Sequence, residues 1–181
     1  TEHLITLIAE GVNVQPQPAA LVNAQDKLVM RQHLAALGAP VPQFVAIESV
    51  ADIEAFWRQV DGEVCLKARR GGYDGHGVWF PKSEGECVEL VTRLLDAGML
   101  LMAEQRVRLV RELSAMVART PSGATRPWPV VESVQVDGIC TEAIAPAPGL
   151  SAELQQEAQA LAVLVATELN VTGVLAVELF E

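Results

Sequence analysis

The densest chemical signal in the chain is Lys67-Ala68-Arg69-Arg70-Gly71-Gly72-Tyr73-Asp74-Gly75-His76-Gly77. A cation on a strand precedes a loop with four glycines over residues 71–77. Glycine lets successive backbone N–H groups turn into one concavity, which suits a phosphate. Lys67 alternates with Leu66 and Ala68, so it points away from their face. An ammonium fixed there neutralises phosphate charge without moving. The plainer alternative is an exposed turn with Lys67 solvated. The segment is no Walker loop, because no Gly-Lys-Ser/Thr follows. It is no dinucleotide fingerprint either, because Gly75 and Gly77 lead into a strand.

Other polar residues stand where chemistry is possible. Glu178 sits inside the apolar run 174–180. A carboxylate buried in such a run is costly unless it is paired or holds a metal. Mg2+ takes one or two carboxylates together with phosphate oxygens; the alternative is an edge position facing water. Glu104, Gln105, Arg106 and Val107 read as a connection between two strands, able to hydrogen-bond a base through its backbone, or as an ordinary loop. Glu112 and Ser114 share one face of their strand, where a carboxylate can accept from ribose hydroxyls or simply face solvent. Asp26-Lys27 at a helix start reads as a cap and a surface lysine.

The elements that must position these residues follow from pattern. A helix is expected from about 19 or 26 to 37, stopped by Gly38 and Pro40, then a strand over 41–47. Ser49 and Asp52 fit a capping box opening a helix to about 60; Ser83 and Glu86 fit another, opening a helix to about 97. Strands are expected over 64–68, 78–80 and 99–103. Residues 111–119 alternate, with Leu113, Ala115 and Val117 on one side. Strands over 129–136 and 139–144 are joined by Asp137-Gly138, a two-residue hairpin signal. Ser151 opens the longest helix, with Leu154, Ala158, Leu161, Val165 and Leu169 along one face. A strand over 173–180 follows. The order predicts an α+β fold of two subdomains with a cleft between them.

Composition narrows the function. The chain has 181 residues, enough for one domain or two small subdomains, and a net charge of −10. Such acidity offers no broad basic surface for nucleic acid or anionic lipid. No run reaches the roughly 18 to 20 apolar residues of a membrane span, and no signal peptide is visible. Cys65, Cys87 and Cys140 are scattered, which fits free thiols in a reducing cytoplasm. The three histidines are equally scattered, which argues against zinc. The start at Thr1 without Met, and the stop directly after an apolar run, suggest a fragment.

In order along the chain, Gln25-Asp26-Lys27, Lys67 with the glycine-rich stretch 69–77, Arg111-Glu112-Leu113-Ser114, Pro129-Val130-Val131-Glu132, Asp137-Gly138-Ile139 and the run 174–180 resemble the ATP-grasp superfamily. Within it they resemble the 5-(carboxyamino)imidazole ribonucleotide synthetase family of purine biosynthesis. The likeness covers nearly the whole chain, and Gly-Gly-Tyr-Asp-Gly-x-Gly is its most specific part. The resemblance implies an ATP-grasp fold with the nucleotide between two α+β subdomains. Residues 1–24 would be the end of a preceding α/β domain and a linker. Residues 25–107 would be the smaller lid subdomain, and 108–181 the larger one, truncated at its C-terminus.

The resemblance also implies a reaction. ATP and bicarbonate carboxylate the amino group of 5-aminoimidazole ribonucleotide, giving ADP and phosphate, with carboxyphosphate as intermediate. Lys27 and Lys67 would contact the ATP phosphates, with Lys67 also near adenine. Gly72, Tyr73, Asp74, Gly75, His76, Gly77 and Val78 would close over the nucleotide. Tyr73 and Asp74 would also reach the imidazole, placing Asp74 with Lys67 among the catalytic groups. Glu104, Gln105, Arg106 and Val107 would present groups to adenine, Glu112 would bind ribose, and Glu178 would ligate Mg2+. Gln135 stands where the family often has His, and Val78 where it often has Gln. The family's second Mg2+ carboxylate, in an Asn-Glu-Leu-Ala-Pro-Arg type motif, has no counterpart here, so the isolated chain is expected not to turn over. Family members are usually dimers. A formate-dependent transformylase or biotin carboxylase relative, or a non-catalytic nucleotide-binding module, are the alternatives.

Overall fold

A computed structural model describes residues 2–72 and 76–181. Tyr73, Asp74 and Gly75, singled out above, lie outside the described residues. Two compact units emerge, Asn23–Arg108 on its own and Thr1–Val22 together with Leu109–Glu181. Helices α1 (Glu2–Ala9) and α2 (Pro18–Gln25) open the chain.

The unit Asn23–Arg108 contains α3 (Lys27–Ala36), β1 (Phe44–Ile47), α4 (Val50–Gln59), β2 (Val64–Ala68), β3 (Val78–Trp79), α5 (Glu84–Asp96) and β4 (Leu101–Gln105). Its four strands pair antiparallel in the order β1-β4-β2-β3. Ser49 and Asp52 form the expected capping box at α4. At α5 only half of the expected box forms: Ser83 accepts from the Glu86 N–H, but the Glu86 carboxylate takes the N–H of Lys82 instead. Alternation along the strands sends Ile47, Val64, Leu66, Leu101 and Ala103 into one core with Ile53 and Phe56 of α4 and Cys87 and Val91 of α5. Cys65, Lys67, Met102 and Glu104 therefore stand on the opposite face. β4 extends two residues further than expected. Glu104 and Gln105 are strand residues, not a loop.

The other unit contains β5 (Glu112–Arg119), β6 (Thr125–Pro127), β7 (Val131–Val136), β8 (Ile139–Ile144), α6 (Ala152–Glu168) and β9 (Gly173–Phe180). β9 runs antiparallel to β5 along its whole length. β7 and β6 share the other edge of β5, at Glu112–Ser114 and Val117–Arg119 respectively. β7 and β8 form the expected hairpin, and Asp137 and Gly138 have φ of 52° and 79°. Two successive positive φ values give the turn whose twist matches the strands.

α6 covers the sheet face of Leu113, Ala115 and Val117. Its buried stripe is Ala158, Ala162, Val165 and Ala166. The expected face is shifted: Ala158 and Val165 are buried as expected, but Leu154 remains 42% exposed, and Ala162 and Ala166 are the most deeply buried. Small side chains let the helix lie close to the sheet, so packing overrides the count of large apolar residues.

Candidate functional site: a cationic strand end and a carboxylate-bearing sheet face

Asp26 is the N-cap of α3 and is 1% exposed. Its carboxylate accepts from the N–H groups of Leu28 and Val29, at 3.1 and 3.3 Å. It also accepts two bonds from Arg69, at 3.1 and 2.8 Å, and one from Arg70, at 3.2 Å. Burial pushes its pKa upward, but the two guanidiniums and the Val29 N–H outweigh that and hold it at about 2. The reading of Asp26 as merely a cap is thus too small. It ties the start of α3 to the end of β2. The Lys27 N–H adds a bond to the Arg69 carbonyl, at 3.0 Å.

Glu104 is the second buried carboxylate, 3% exposed. Lys67 Nζ donates to Oε2 at 2.6 Å, Arg31 Nε to Oε1 at 2.6 Å, and Arg31 Nη2 to Oε2 at 3.4 Å. Burial opposes its charge, yet Lys67 and Arg31 hold it below the ordinary carboxylate range. Lys27 stands on the same side. Burial and the like charge of Lys67 pull its pKa down, against Glu104 and Asp26.

Five cations, Lys27, Arg31, Lys67, Arg69 and Arg70, thus face two carboxylates in a chain of net charge −10. A local positive excess with mutually repelling ammoniums is relieved by an anion. Gly72 lies against it. A β-carbon there would stand 2.8 Å from the His76 carbonyl oxygen and 3.0 Å from Lys27 Nζ. Only a hydrogen fits between the loop and the ammonium. Gly77 has φ of 76° and its carbonyl accepts from the Ala68 N–H at 2.8 Å. Val78 is the register partner of Lys67, on the same sheet face. Cys65 is the partner of Glu104 there. Burial pushes its thiol up to about 11, so it is no nucleophile.

The expected base-contacting segment is partly committed elsewhere. The Glu104 carboxylate is ion-paired, and the N–H groups of Gln105 and Arg106 donate to the carbonyls of Gln43 and Glu63. The Arg106 guanidinium lies over the Phe80 ring, 5.1 Å from its centre. Among the described residues the Val107 N–H has no acceptor, so it is the backbone donor still open to a base.

In the other unit, Glu112, Ser114 and Gln135 lie on the sheet face turned away from α6. Glu178 faces the same way. It is paired in register with Ser114, diagonal to Glu112 across β5 and β9, and exposed. The expectation of a buried carboxylate is corrected: strand alternation sends Leu175, Val177 and Leu179 toward α6 and Glu178 outward. Among the described residues no three of His, Cys, Asp and Glu cluster as a metal site. Glu178 still fits Mg2+, as an exposed hard oxygen donor of the kind that binds jointly with phosphate oxygens.

Motif and spacing did not single out Arg31 or the pairing of Asp26. Two signals pointed there. Arg31 follows Lys27 by four residues, on one helix face, and Glu104 interrupts an apolar strand and must find a cation.

Comparison with known proteins agrees with the fold. Residues 32–181 match the ATP-grasp domain. The chain is 63% identical over 179 residues to an N5-carboxyaminoimidazole ribonucleotide synthase of Corynebacterium ammoniagenes, an alignment covering 99% of the chain and 43% of that protein. It superposes on the N5-carboxyaminoimidazole ribonucleotide synthetase of Thermus thermophilus with a TM-score of 0.90 and 32% identity, over 99% of this chain and 48% of that one. It also superposes on an N5-carboxyaminoimidazole synthase of Aspergillus clavatus, in complex with ADP and 5-aminoimidazole ribonucleotide, with a TM-score of 0.86 and 26% identity, over 99% and 46%. The chain spans less than half the length of these relatives. With the family match covering most of its length, the chain belongs to the ATP-grasp family.

Proposed function

We propose that this chain is the ATP-binding part of an ATP-dependent carbon–nitrogen ligase of purine biosynthesis. The enzyme carboxylates the amino group of 5-aminoimidazole ribonucleotide with bicarbonate and ATP. The names of the relatives support the reaction, and the Aspergillus clavatus complex supports both ligand classes. The observation that carries the site is the Lys27 ammonium set against Gly72, where no side chain fits, with the like charge of Lys67 acting on it.

In this reading a bicarbonate oxygen attacks the γ-phosphorus and ADP leaves. The amine then attacks the carboxyl carbon of carboxyphosphate, and phosphate leaves. Such a sequence needs chiefly positioning and charge neutralisation. Lys27 and Lys67 neutralise the phosphates, and residues 72–78 cover them. Lys67 and Asp74 serve the chemistry, with Tyr73 and Asp74 reaching the imidazole. The Val107 N–H and neighbouring groups of 104–106 take adenine, and Glu112 and Gln135 take the ribose side. Glu178 would hold Mg2+ together with phosphate oxygens, and the ion would neutralise charge on the transferring phosphoryl group. We assign residues 25–107 and 108–181 to the two ATP-grasp subdomains. The enzyme works in the cytoplasm as a homodimer. No described helix is long and apolar enough to cross a membrane, and the three cysteines are free.

The test is ADP release by the full protein that contains this chain. Release that requires both bicarbonate and 5-aminoimidazole ribonucleotide is expected. Release driven by formate or biotin instead overturns the reading. Titration with Mg-ATP should show Lys67→Ala weakened by about tenfold or more, the scale of one charge-assisted hydrogen bond.

A further inference from the structure

Arg31 stands outside the set of residues expected to touch nucleotide, yet its guanidinium is only 14% exposed and is spent on one partner, Glu104. Glu104 in turn binds Lys67. We propose that Arg31 is a positioning residue: by satisfying Glu104, it leaves the Lys67 ammonium oriented, with donors free to bind ATP phosphate.

Charge and lone pairs give the reason. Glu104 alone with Lys67 would make a buried neutral pair. A carboxylate in so dry a place would engage the ammonium with both oxygens. Such a pair has no net charge to offer an anion. Arg31 changes both conditions. Its Nε takes Oε1 at 2.6 Å, so Lys67 meets only Oε2, at 2.6 Å, and retains two further N–H donors. The trio carries one net positive charge in place of none. Arginine is suited to this, because a guanidinium cannot give up its proton and spans both carboxylate oxygens, here with Nη2 at 3.4 Å from Oε2. The helix supplies the geometry. Arg31 lies one turn after Lys27, so the α3 face that delivers one ammonium to the loop also delivers the guanidinium that sets the other.

The inference rests on Lys67 being an ATP ligand, and the experiment separates the two. Mg-ATP affinity is measured by calorimetry on the full protein, as parent, Arg31→Met, Glu104→Gln and the double variant, with thermal melts alongside. Arg31→Met should bind Mg-ATP about tenfold more weakly, the scale of one charge-assisted hydrogen bond. In the Glu104→Gln background the same change should have no effect, because Arg31 acts through that carboxylate. Arg31→Lys, whose ammonium reaches one oxygen and not both, should stay within about threefold of the parent. If Arg31→Met does not fold, the comparison is made with Arg31→Gln in both backgrounds, with the same expected loss and cancellation. Unchanged affinity in Arg31→Met overturns the proposal, and so does an equal loss in the Glu104→Gln background. A parent that binds no Mg-ATP overturns instead the reading of the site.

Discussion

Two regions of the molecule hold candidate ligands in opposite ways. At the end of β2, four of the five candidate cations, Arg31, Lys67, Arg69 and Arg70, belong to networks completed by the protein itself. Asp26 and Glu104 are buried and fully engaged by four basic side chains. On the sheet of β5 and β9, Glu178 is exposed on an outer face and apolar neighbours point the other way. The first region is built before any ligand arrives. The second displays donors that a ligand would complete. Pre-organisation of the first kind is folded into stability, because buried charges must be balanced. The second kind is close to neutral for the fold and is available to function at little cost.

The contrast is broken most decisively at Glu104. Replacing it with leucine leaves Arg31 and Lys67 without their carboxylate, and a loss of about 3–5 kcal/mol is expected. Urea denaturation measures this; a loss below about 1 kcal/mol would erase the distinction between the regions. Asp26 gives a smaller effect with a pH signature. Its carboxyl sits at about 2 against an ordinary 3.8, so its contribution is present above the ordinary value and disappears as pH falls from about 4 toward 2. The parent should therefore lose about 2 kcal/mol over that window that Asp26→Asn does not lose, and the two should converge in acid. Denaturation curves at neutral pH and near pH 2.5 decide it. The smallest effect belongs to Glu178→Gln, which should move stability by less than about 0.5 kcal/mol while weakening the Mg2+ dependence of ATP binding. A large stability loss there would show that the outer face is also structural.

Much of the fold was legible because its signals are local. Val64 to Ala68 as a strand, Asp137-Gly138 as a turn and Ser151 as a helix start each depend on a few adjacent residues. Leu113, Ala115 and Val117 announced their buried face by alternation. What escaped was long-range. Arg31 and Glu104 lie 73 residues apart, and only folding makes them neighbours. Glu104 resembles a loop residue because a charge interrupts the apolar run of β4, yet pairing with Phe44 and Cys65 continues through it. Glu178 was legible as a strand residue. Its direction depended on which face α6 covers, and the alanines that decide this look featureless beside the leucines that do not.

Those alanines have a reach beyond packing. A strand's side chains change faces with every one-residue slip. Were β9 to slide by one position against β5, Leu175, Val177 and Leu179 would turn outward and Glu178 would be driven under the helix. The apolar cluster that Ala158, Ala162 and Ala166 form with Leu175, Val177 and Leu179 opposes that exchange. The address of the outer carboxylate is therefore written by three methyl groups on the far side of the sheet. Mutations that enlarge them would misplace the Glu178 carboxylate, which they never touch.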